Sequence, residues 1–153
     1  MTLSQSDLDK INQLFSYLNI DSSLVNVELQ DDTVEISVDI PEADAGIFIG
    51  RFASTLDSIQ LVLSLFLRSD EIHHIHLDIG GYRIRREQVL QDIAERVASD
   101  VLESGLPRAL PPLSAAERRA VHLMYQDNEE LITYSEGQGH SRRLFMAPKP
   151  QID

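Results

Sequence analysis

The chain has 153 residues, enough for one domain or two small ones, and its 42% hydrophobic and 25% charged content is that of a packed globular protein. It contains no cysteine, which excludes a disulfide scaffold, thiolate metal sites and thiol catalysis. A formal net charge of −12 sets the chain as a whole against polyanionic partners.

Taken in order, Ser4 can cap a first helix while Asp7 reaches back, with Leu8, Ile11, Phe15 and Leu18 at helical spacing. A hairpin follows: Val25, Val27 and Leu29 alternate, Asp31 and Asp32 turn the chain, and Val34, Ile36, Val38 and Ile40 alternate back. The segment AGIFIG reads as a loop feeding a buried helix. Ser54 and Asp57 form its second capping box, and Leu56, Ile59, Leu63 and Phe66 or Leu67 form its core stripe.

The strand IHHIHLDI points Ile75, Leu77 and Ile79 inward and His74, His76 and Asp78 outward. Gly80 and Gly81 break it. From Tyr82 to about Ser104, Leu90, Ile93, Val97 and Val101 mark a long helix, stopped by Gly105 and Pro107. LPRALPPL reads as a linker. Ser114 and Glu117 then make a third capping box for a helix in which Val121 and Met124 face the core and Arg118, His122 and Tyr125 share another stripe. The last hairpin turns through EGQG, and its return strand carries Arg142 and Arg143 on opposite faces. The fold class is α+β, with two small domains, residues 1–80 and 81–153.

The charge is unevenly shared. Residues 1–80 hold three basic residues against fourteen acidic ones, whereas residues 81–153 hold ten basic against eleven acidic. Nine of those ten are arginines, several in tight groups: Arg83, Arg85 and Arg86; Arg118 and Arg119; Arg142 and Arg143. Arginine's planar fork suits bidentate phosphate contact. Arg118 and His122, at i and i+4, project from one helical face, so a guanidinium and an imidazole N–H can converge on one phosphodiester, with Tyr125 placed to stack or hydrogen-bond. The plainer alternative pairs Arg118 with Glu117 or Glu136 and leaves His122 a satisfied, half-buried histidine. In the first turn of the long helix, where the macrodipole disfavours cations, Arg83, Arg85 and Arg86 need either a bound phosphate or carboxylate partners from the acidic first domain.

The order of elements and three stretches, IGRFASTLDSIQ at 49–60, GYRIRREQVLQDIAERVA at 81–98 and LPPLSAAERRAVHLMYQDNEELITYSEGQGHSRRLF at 110–145, resemble the Jag (SpoIIIJ-associated) family. That family joins a KH domain to an R-x-x-x-H domain. The resemblance implies a type II KH-like α/β domain followed by an R-x-x-x-H domain of helices packed on a small antiparallel sheet. It also implies a bacterial, cytoplasmic protein that binds single-stranded RNA, or single-stranded DNA, without catalysis, metal or cofactor. Post-transcriptional regulation is the expected role. The binding residues so indicated are Arg118, His122, Tyr125, Arg119, Arg85 and Arg143, with a KH loop at Gly50, Arg51, Phe52 and Ala53.

Two departures bear on this. The KH loop of the G-x-x-G pattern ends here in Ala53, whose methyl group meets the ligand side and disfavours a left-handed backbone. That leaves a working KH site set against a KH fold kept for packing or for a partner protein, with Phe52 placed either to stack on a base or to anchor a protein. Many family members also begin with an additional N-terminal domain, and this chain starts at the KH helix, so roles tied to that segment are not expected here. The rival function is an adaptor whose degenerate KH domain binds a small KH-domain protein or a second copy of the chain, without membrane insertion.

No dinucleotide fingerprint, phosphate-binding P-loop or nucleophile elbow occurs, and the carboxylates form no catalytic pair. His74 and His76 share a strand face with His73 opposite, two ligands where zinc wants three or four. Neither an enzyme nor a metal site is expected.

Overall fold

A computed structural model describes residues 3–67 and 74–150. Helices and two small sheets mix in an α+β arrangement, and the chain divides into two compact units, Met1–Ile84 and Arg85–Asp153.

The first unit opens with α1 (Gln5–Tyr17), capped by Ser4, whose Oγ accepts from the Asp7 N–H (3.2 Å). The Asp7 carboxylate accepts from the Ser4 hydroxyl (2.6 Å). β1 (Val25–Gln30) and β2 (Thr33–Val38) pair antiparallel through the Asp31–Asp32 turn, with Asp31 at φ 55°, a left-handed conformation that Asp tolerates. β3 (His74–Ile79) runs parallel to β2, giving the order β1-β2-β3. Ile72 and His73, read as part of this strand, lie outside the described residues.

Alternation does the sorting. Val34, Ile36, Val38, Leu77 and Ile79 are buried beneath Ile11 and Phe15 of α1 and Leu56, Leu63 and Leu67 of α3 (Ser54–Leu67). Glu28, Glu35, His74 and His76 take the other face, where His76 Nδ1 lies 2.6 Å from Glu35 Oε2. Leu67, not Phe66, completes the core stripe, for Phe66 is 56% exposed.

Two sequence readings fail in this unit. The stretch taken for a loop is a helix, α2 (Glu42–Ile49), which buries Ala45 and Ile49. Ser54 is not a capping residue. It is already helical (φ −62°, ψ −36°), because a tight turn at Arg51–Ala53 feeds α3 directly, and Asp57 turns to Arg83.

α4 (Tyr82–Ser104) opens in the first unit, where the Arg83 N–H donates to Asp78 Oδ1 (3.0 Å), and continues through the second. In the second unit its Leu90, Ala94, Ala98 and Val101 are buried, and Gly105 ends it at φ 67°. The expected linker is structural: it carries β4 (Arg108–Ala109) and buries Leu110 and Leu113. The capping box at α5 (Ala115–Tyr125) has both halves, Glu117 N–H to Ser114 Oγ (3.2 Å) and Ser114 N–H to Glu117 Oε2 (2.7 Å). β5 (Leu131–Glu136) and β6 (Arg143–Pro148) complete an antiparallel sheet of order β4-β6-β5. Met124, expected inward, is 45% exposed; Val121 is buried, and Ala120 and Tyr125 pack on the core instead. The inward face of α5 therefore runs through 121 and 125, the i, i+4 row, rather than 121 and 124.

Candidate nucleic-acid interface

Between α5 and β5 the second unit has a hollow of about 370 Å³, lined by Ala115, Arg118, Arg119, His122, Thr133, Tyr134, Ser135, Arg142 and Leu144. Three arginines and a histidine meet there, and no lining residue is a carboxylate. In a chain of net charge −12 this is a local reversal of sign.

Local structure explains how the side chains are held. The Ser114–Glu117 box starts α5 so that Arg118 comes next to it, and Arg118 Nη1 donates to the Leu113 carbonyl (2.7 Å). That contact uses one of five N–H donors and leaves the planar fork for a ligand. One turn on, exposed His122 has Nδ1 2.6 Å from Thr133 Oγ1, a contact that fixes the ring against β5 and leaves Nε2 as its other polar atom. Arg119 is exposed at the rim. Arg142 enters from the strand turn.

The carboxylate pairing that the plainer alternative gives Arg118 does not hold. Among the described residues Arg118 pairs with no carboxylate, and Glu117 is engaged elsewhere: its Oε1 accepts from Arg86 Nε (2.6 Å). Burial opposes ionisation of Glu117, whose side chain is 14% exposed. The Arg86 and Ser114 hydrogen bonds outweigh it and hold the carboxyl below its usual range.

Several sequence-derived residues stand apart from the hollow. Tyr125 packs on the core, and burial, with the nearby Glu95 charge, raises its phenol pKa. Arg143 donates to the carbonyls of His140 (2.9 Å) and Arg142 (3.3 Å), bracing its own turn. Arg142 takes the place expected for it. Arg85 does not line the hollow. Of its neighbours, Arg83 donates to the Leu77 carbonyl (2.8 Å), Gln60 (3.1 Å) and Asp57 (3.3 Å), and Arg86 pairs with Glu117. Both offset the macrodipole with carboxylates, Arg86 with one from its own unit rather than from the first. The sequence carried no signal for Thr133 and Ser135, which join only because β5 lies under α5.

In the first unit the Gly50–Ala53 turn links α2 to α3. Gly50 sits at φ 72°, where an added Cβ would come within 2.2 Å of Thr55 Oγ1, so only glycine fits. Phe52 and Ala53 follow at φ 54° and 60°, left-handed although neither is glycine. The alanine thus does not prevent the conformation that it disfavours. The Arg51 guanidinium lies 5.2 Å from the centroid of the Phe52 ring, a cation–π contact at the exposed tip.

Residues 88–148 match the R-x-x-x-H domain family. The chain is 29% identical to the RNA-binding protein KhpB of Clostridium symbiosum over 150 residues, 97% of this chain and 67% of the relative. It is 26% identical to KhpB of Bacillus subtilis (strain 168), across 93% of this chain and 72% of the relative. For KhpB of Streptococcus pneumoniae serotype 2 (strain D39) the identity is 27%, across 92% of this chain and 45% of the relative. Residues 88–148 thus match an R-x-x-x-H domain, and the chain as a whole is similar to KhpB proteins.

Proposed function

We propose that this chain binds single-stranded RNA without acting on it chemically, its second unit holding the phosphate backbone in the hollow between α5 and β5. One observation carries the reading: Arg118, Arg119, His122 and Arg142 converge where no carboxylate competes. Guanidinium forks give charge-assisted, bidentate contacts to phosphate oxygens, and such contacts supply affinity without base preference. The R-x-x-x-H match and the RNA-binding relatives support it. A cytoplasmic, post-transcriptional role goes with that ligand.

The first unit is read as KH-like, with residues 1–80 as one domain and 81–153 as the other. Its order of α1, β1, β2, α2, α3 and β3, with a left-handed glycine-led turn between two helices, supports this. Arg51 and Phe52 at that turn give a second place for nucleic acid to touch.

A protein-partner role for this unit is favoured by a separate feature. From residue 59 to 67 α3 is apolar at every position but Gln60 and Ser64, burying Ile59, Leu63 and Leu67 while Leu61 (61%), Leu65 (69%) and Phe66 (56%) stay exposed with Val62. A helix of that kind normally has both faces covered. Binding a KH-domain protein or a second copy there is compatible with RNA on the other unit.

Fluorescence anisotropy of a short single-stranded RNA, titrated with the wild type and with Arg118→Ala/His122→Ala, tests the main reading. The double variant should bind at least tenfold more weakly while still melting in one cooperative transition, lowered by no more than the loss of its contacts to Leu113 and Thr133. Equal binding by the two would remove the hollow as the RNA site.

A further inference from the structure

We propose that the outer face of the second unit's sheet carries a nucleobase-stacking subsite. In it Tyr134, backed by Phe145, receives a base adjoining the phosphate held in the hollow. The inference rests on the RNA reading of that hollow and assigns it a second ligand chemistry.

Tyr134 and Phe145 are direct cross-strand partners on β5 and β6. Their ring centroids lie 5.6 Å apart with planes 11° from parallel, so the two rings already form a stack. Strand alternation puts them on the face opposite Thr133, Leu144 and Met146. That is the side away from the buried core, and neither ring is among the residues packed on it. In the same row on β4 the partner of Phe145 is Ala109, too small to fill the space beside the rings.

The pair also sits beside the charge. β5 is an edge strand, and Tyr134 itself lines the hollow beside Thr133 and Ser135, although its side chain leaves the strand on the other face. A strand of RNA whose phosphate lies between Arg118 and Arg142 therefore needs only to round the edge of β5 for its next base to meet the tyrosine. Stacking on an aromatic ring is open to any base, since every base has a π-face, and a ring already fixed by its neighbour loses little freedom on binding.

The test pairs ligands with variants of the full chain. Single-stranded RNA and an abasic oligomer of the same length and charge are titrated against the wild type, Tyr134→Phe, Tyr134→Leu and Arg118→Ala, with thermal melts of each. RNA carrying 2-aminopurine reports stacking through quenching. The intact RNA should bind the wild type about tenfold more tightly than the abasic oligomer. Tyr134→Leu should erase that margin and the quenching while keeping the salt slope, and Tyr134→Phe should keep both. The abasic comparison uses the unaltered chain and so does not depend on any variant folding. If intact and abasic oligomers bind the wild type alike while Arg118→Ala weakens both, the hollow holds phosphate alone: the stacking subsite is overturned and the RNA reading stands. If neither oligomer binds the wild type, both fall together.

Discussion

Neighbouring arginines at the start of β6 give the sharpest separation of roles, because only Arg142 lines the hollow whereas Arg143 turns its Nη1 to the carbonyls of His140 and Arg142. Replacing each by alanine should therefore do different things. Three arginines in the hollow imply about three neutralised phosphates. At about −0.7 per single-strand contact, log K should fall with log salt at a slope of about −2. Arg142→Ala removes one contact, moving the slope to about −1.4. A charge-assisted hydrogen bond is worth about 1.5–3 kcal/mol, and screening at an exposed site reduces it to about 1–2, a five- to thirtyfold loss of affinity. Arg143→Ala should leave affinity within about twofold and cost about 1 kcal/mol or less in stability, the worth of exposed hydrogen bonds to two turn carbonyls. Anisotropy titrations across a salt series, with thermal melts of each variant, measure both quantities. An Arg143→Ala that weakens binding as much as Arg142→Ala, or an Arg142→Ala with the wild-type slope, would refute the assignment of the hollow.

Glu117→Ala should cost about 2 kcal/mol, since it removes one half of a capping box and a hydrogen-bonded partner of Arg86 together; urea denaturation reads it. Because the folded state lowers the Glu117 pKa, that carboxylate adds stability fully above its unfolded value, near 4.3, and loses it as pH falls through the lower folded value. The acid limb of the stability curve should be shallower in Glu117→Ala than in the wild type. Gly50→Ala should destabilise the first unit by about 2–3 kcal/mol through its left-handed backbone and the clash with Thr55, whereas Ala53→Gly should be neutral to stabilising by up to about 1 kcal/mol, as relief of a φ of 60° is set against added chain entropy. Leu61→Glu/Leu65→Glu should leave the melt nearly unchanged, both side chains being exposed, and should abolish any self-association seen by sedimentation.

What the sequence determined by itself is mostly local or periodic. The Ser114–Glu117 box spans three residues and uses only its own atoms, so it reads the same in the chain and in the fold. The hairpins and β3 declare their inward faces through alternation, and α4 declares its buried row through Leu90 and Val101. Arg118 and His122 fall on one helical face by spacing alone, and the excess of arginine in residues 81–153 is visible in a count.

Tertiary structure decided the rest. α2 is short and contains Gly46, so it is a weak helix by propensity that persists by burying Ala45 and Ile49. Ser54 and Asp57 fit a capping pattern, but the preceding left-handed turn and an arginine 26 residues away claim them instead. Alternation separates Arg142 from Arg143 without saying which of the two faces α5; that depends on how the sheet seats against the helix. The same seating brings Thr133 to His122 and puts Tyr134 at the rim of the hollow. Contacts between residues distant in the chain are paid for by the packing of the whole unit, and no local pattern encodes them.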